Sequence, residues 1–116
     1  MLKKNVWLIA TMLFVCIFTF GILHSSETQA DLADEIAKAD IEYGEYLSAE
    51  CVTCHRSSGA SKGIPIIHGI KAETFVAYIN AYRKKERKNE VMQMMASGLD
   101  REQILSLAAY FSSLPK

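Results

Sequence analysis

Cys51-Val52-Thr53-Cys54-His55 dictates more about this chain than any other stretch of it. Two cysteines three apart, followed at once by histidine, are the attachment sequence for a c-type haem. Each thiol has to reach one vinyl group of the same porphyrin, while the adjoining imidazole has to meet the iron from one face. A short turn at the start of a helix is expected to place all three together. Other uses of these residues fit less well. A disulfide is allowed in an exported protein, but a redox dithiol belongs with a βαβ pattern that this chain lacks. A zinc site using His55 and His68 would have unusual spacing and no second cysteine pair.

Export is itself an expectation. Lys3 and Lys4 precede residues 6–23, which carry no charge, and Thr28-Gln29-Ala30 is an acceptable signal-peptidase site. The apolar run exceeds the usual signal core and approaches the ~20 residues that span a bilayer. Residues 1–30 are therefore expected to be a signal peptide or an uncleaved anchor. The tether would be residues 6–23, and Cys16 within them reads as a small hydrophobe. Either way residues 31–116 would lie in the periplasm or on the outer face of the cytoplasmic membrane, since the lysines hold the start inside.

Those residues make one small domain, of a size that often depends on a cofactor or a staple. Thirteen basic and thirteen acidic side chains cancel over the 116 residues, so nothing points to nucleic acid. The charges are nevertheless uneven. Acids crowd residues 31–50, and Arg83, Lys84, Lys85, Arg87 and Lys88 form a basic run.

The elements expected are all helical. Leu32, Ile36, Ala39, Tyr43 and Leu47 recur at helical spacing and predict one helix over 32–48. Glycines, serines and Pro65 predict a loop over 56–71. Phe75, Tyr78, Ile79 and Tyr82 predict a helix over 73–85, and a short one is expected over 89–97. A last helix should start at Asp100, with Gln103 completing a capping box and Ile104, Leu107, Ala108 and Phe111 buried, and end at Pro115. No segment alternates as a strand.

An electron-carrying haem usually has a second axial ligand, methionine or histidine. Met92, Met94, Met95 and His68 are the candidates downstream of the motif. Composition does not choose among them, because methionine is also an adaptable core filler.

Residues 44–114 resemble the small bacterial class I c-type cytochromes, in particular those related to the cytochrome subunit of flavocytochrome c sulfide dehydrogenase. The matching pieces are Gly44, the haem motif, Gly59, Ile64-Pro65-Ile66-Ile67 followed by Gly69, and the helix from Phe75. Met92-Gln93-Met94-Met95-Ala96-Ser97-Gly98-Leu99, Leu107-Ala108-Ala109-Tyr110-Phe111 and Leu114-Pro115 complete them. The resemblance implies an all-α class I cytochrome c fold, three to five helices around one covalent haem c per chain, here preceded by an apolar N-terminal helix. It implies attachment through Cys51 and Cys54, and His55 and Met92 on the iron. The family ligand lies seven residues before the leucine that precedes the last helix, here Leu99. It also implies that the Pro65 carbonyl accepts a hydrogen bond from His55. Gly44 would sit where the first and last helices cross, against Tyr110 or Phe111. Three residues depart from the pattern: Arg56 replaces a common glycine, Ile70 a common Gln, and His68 a small or apolar residue.

With both axial positions filled, no site remains for oxygen or substrate, and the chain is expected to be an electron carrier rather than an enzyme. A free or tethered shuttle between redox proteins is one expectation, and a haem subunit of an oxidoreductase such as a flavoprotein sulfide dehydrogenase is the other. A ligand sensor would need an open sixth position. The basic run is either a solvated face or a docking patch for a flavoprotein or a membrane oxidoreductase.

Overall fold

Every regular element among the described residues is an α-helix. A computed structural model describes residues 24–58 and 63–116; the expected leader at 6–23, Gly59 and Ser61 fall outside them. Helix α1 spans His24–Ala37, α2 Ile41–Val52, α3 Ala72–Arg83, α4 Glu90–Ser97 and α5 Arg101–Ser113. The chain divides into two compact units, Met1–Leu32 and Ala33–Lys116. Of the first, only the helical stretch 24–32 is described. None of the described helices is long and apolar enough to cross a membrane.

The single helix expected over 32–48 is in fact two. Asp40 is extended (φ −78°, ψ 105°) and its carboxylate accepts the Tyr43 N–H at 3.0 Å, capping a new helix. Aspartate satisfies otherwise orphaned N–H groups in this way, and here that preference overrides a continuous apolar period. Two further helix starts follow the same logic. Asn89 caps α4 through the Met92 N–H. Asp100 and Gln103 form a reciprocal capping box on α5. The α3 helix ends at Arg83, two residues short of the expected boundary, and Lys85 then turns the chain in the left-handed region (φ 60°).

In the second unit α2 packs on α5, and α3 packs on both α4 and α5. The α2–α5 crossing is close because Gly44 has no side chain. A Cβ built there would overlap the Ser106 carbonyl and come within 2.9 Å of the Tyr110 Cβ. Tyr110 therefore meets Gly44. Phe111 is instead wholly buried, with ring centroids 5.6 Å from Phe75 and 5.4 Å from Tyr110. Val76, Ile79, Ile104, Leu107 and Ala108 complete this core.

The loop after the haem motif is tied to that core through Gly69. The Gly69 N–H donates to the Phe111 carbonyl at 2.9 Å, and Gly69 takes a positive φ of 66° that suits glycine. Pro65 lies four residues earlier, so anchoring Gly69 to α5 helps set where the Pro65 carbonyl points.

Candidate functional site

The haem motif sits at the end of a helix, where a start was expected. Cys51 and Val52 are the last residues of α2, which runs four residues past the expected end at 48. The backbone then keeps turning. The N–H groups of Cys54 and His55 both donate to the Cys51 carbonyl, at 3.2 and 2.9 Å, so both thiols and the imidazole belong to one tight turn.

No disulfide joins Cys51 to Cys54. Burial, reinforced by the charge of Glu50, pushes the Cys51 thiol up from its ordinary range. Among the described residues, no group of three or more Cys, His, Asp or Glu side chains is placed to hold a bare metal ion. His68 does not join His55 in such a group; its ring lies 6.0 Å from that of Phe111.

His55 Nδ1 lies 2.7 Å from the Pro65 carbonyl oxygen. A carbonyl can only accept, so Nδ1 must carry the proton and donate. The ring is then held in one tautomer and one orientation, and its Nε2 lone pair is left bare for a metal. A ligand histidine needs this arrangement, since a bonded far nitrogen fixes the ring and raises its basicity.

Met92 occupies the first turn of α4, half-buried, with its N–H bonded to the Asn89 side chain at 3.0 Å. Met94 is 65 % exposed and Met95 37 %. The segments carrying these groups also present apolar side chains to solvent: Val52 in the motif, Ile66 beside Pro65, Met95 on α4, and Tyr78 on the adjoining α3. Paired thiols, a bare imidazole nitrogen, a thioether and exposed apolar side chains on the same segments are the chemistry that would hold a haem. The residues present fit the group.

One feature lay beyond the reach of sequence reasoning: a cleft of about 440 Å³ lined by Val52, Arg56, Ser57, Ser58 and His68. Arg56 and His68 had stood out only as separate departures from a pattern, and their proximity follows from how the loop returns to α5.

Residues 41–115 match the cytochrome c family. The cytochrome subunit of sulfide dehydrogenase from Chlorobaculum tepidum is 35 % identical over 74 residues, 63 % of this chain and 67 % of the relative. Cytochrome c-554(548) from Halomonas halodenitrificans is 37 % identical over 79 residues, 64 % of this chain and 95 % of the relative. One attachment motif implies one covalent haem c, and the family is one of electron carriers. An all-α chain with this motif, and with a family match over most of its length, is a member of the cytochrome c family.

Proposed function

We propose that the chain carries single electrons between redox proteins outside the cytoplasm, with haem thioethers at Cys51 and Cys54 and axial ligation by His55 and Met92. The observation that carries this reading is the 2.7 Å bond from His55 to the Pro65 carbonyl, which presents Nε2 as a ligand. The haem, when bound, supplies a one-electron iron couple. A methionine thioether favours the ferrous state relative to a second histidine. With haem bound, the chain's own work would be to hold His55 and Met92 still in either oxidation state. Pro65 steadies the imidazole. The α4 cap at Asn89 sets where Met92 begins its turn.

Compartment rests on the sequence of residues 1–30, which offers the charge, apolar run and cleavage pattern of an export signal. For partners, the basic run at the end of α3 favours an acidic surface. Arg83, Lys84, Lys85 and Lys88 are exposed, and none is in an ion pair among the described residues. Arg87 is held differently, its guanidinium 4.4 Å from the Tyr78 ring centroid and 5.3 Å from that of Tyr82. Complementary charge speeds encounter more than it tightens the complex.

A second reading, haem subunit of a flavoprotein sulfide dehydrogenase, is favoured by the Chlorobaculum tepidum relative, itself a sulfide dehydrogenase subunit. Co-purification of the haem-loaded chain with a flavoprotein supports this role; a chain that stays alone and exchanges electrons with soluble partners supports the shuttle. The ligation is tested by carbon monoxide. The ferrous wild type should form no rapid complex near neutral pH, whereas Met92→Ala should bind readily. Rapid binding by the wild type would sink Met92 as ligand.

A further inference from the structure

Arg56 and His68 are twelve residues apart in sequence, and the fold places both on one cleft. That cleft, about 440 Å³, is lined by Val52, Arg56, Ser57, Ser58 and His68. The haem site as described uses none of their polar side chains. Their chemistry is one-sided. Arg56 brings a permanent charge and five N–H donors, the serines bring two hydroxyls, and a neutral imidazole brings one N–H. Among the described residues, no carboxylate lines the cleft. His68 Nε2 is enclosed and has no hydrogen-bond partner among the described residues, so turning the ring toward the cleft would break no bond of that atom.

We propose that this cleft binds a small inorganic oxyanion of the phosphate or sulfate class. Several donors, one fixed positive charge and no acid describe a receptor for a compact anion with oxygens on every side. Guanidinium in particular presents paired N–H groups that match two oxygens of one such ion. The volume exceeds that of a single ion, so the anion enters with part of its water shell and exchanges freely. Val52 is the one apolar side chain among the described residues of the lining.

The site has a consequence that rests on the haem reading given above. Arg56 directly follows His55, so an anion held there lies close to the iron's own ligand. Ferric haem carries one more positive charge than ferrous, and the anion therefore binds the oxidised protein more tightly. By linkage, it lowers the reduction potential. Each tenfold preference for the oxidised form is about 59 mV for one electron.

The test is calorimetry on the haem-loaded, full-length ferric protein, titrated with potassium phosphate and, separately, with potassium chloride at matched ionic strength. Wild type, Arg56→Gln and His68→Leu are compared, and redox potentiometry is run on the same samples. The expected result is one saturable phosphate site, none for chloride, and at least a tenfold loss of affinity in Arg56→Gln. The wild-type potential should fall as phosphate rises and that of Arg56→Gln should not. Absence of saturable phosphate heat, or equal affinity in Arg56→Gln, overturns the site. So does binding of an oligoglutamate peptide with no binding of phosphate, which would make the cleft a protein-docking surface. Should His68→Leu fail to fold, Arg56→Gln alone decides, since Arg56 is exposed. The absorption spectrum keeps the two readings separate: phosphate binding without His/Met bands leaves the anion site standing and removes the ligation.

Discussion

His55 and Pro65 show how little of a haem site a side-chain inventory contains. The nitrogen that matters for the iron is prepared by a backbone carbonyl ten residues away in sequence, and the bond decides the tautomer. Its proton is expected to exchange slowly with solvent in the haem-loaded protein, as nuclear magnetic resonance in mixed water would show; fast exchange would mean that the bond opens. Among the methionines, Met92→Ala should lose the oxidised far-red band while Met94→Ala keeps it, because Met94 faces solvent. The motif could be read in the sequence because its chemistry is local, with three reactive groups inside five residues. The cleft at Arg56 and His68 could not, since two ordinary polar residues gain meaning only when a loop return brings them together.

At the scale of elements, caps and crossings outweigh surface charge. The Arg101–Glu35 ion pair joins α1 to α5, but Arg101 is 61 % exposed at its side chain, and such pairs contribute about 0–1 kcal/mol. The Asp100 cap is worth more. Asp100→Ala should cost about 1 kcal/mol in urea unfolding of the haem-loaded protein, and Arg101→Ala less; the reverse order would contradict this ranking. Gly44→Ala should be worse than either, about 1–3 kcal/mol, since its methyl group collides with backbone rather than with a flexible side chain. The sequence carried the α5 capping box plainly. It also carried Asp40, but the apolar period through Ile36, Ala39, Tyr43 and Leu47 reads as one helix. Where a cap and a period compete, the period alone cannot show that the chain breaks, because the apolar face continues across the turn.

For the molecule as a whole, the haem is part of what is folded. The core of the second unit centres on Phe75, Leu107 and Phe111, whereas apolar side chains such as Ile66 and Met95 are partly exposed. Anything bound to the folded state alone stabilises it, and a covalent group cannot be diluted away. Produced without the haem-attachment machinery, the chain should show weak helical circular dichroism and no cooperative thermal transition. A stable helical apoprotein would contradict that dependence. The all-α class could be seen in the sequence because helical periods and caps agree along most of the chain. The central claim, covalent haem held between His55 and Met92, is tested most directly by absorption spectra of protein matured with the attachment machinery, oxidised and reduced, followed by acid–acetone extraction. The expected result is haem that stays with the protein, sharp reduced bands and a weak far-red band when oxidised. Haem lost to the extract would contradict the covalent attachment, and retained haem without the far-red band would contradict Met92.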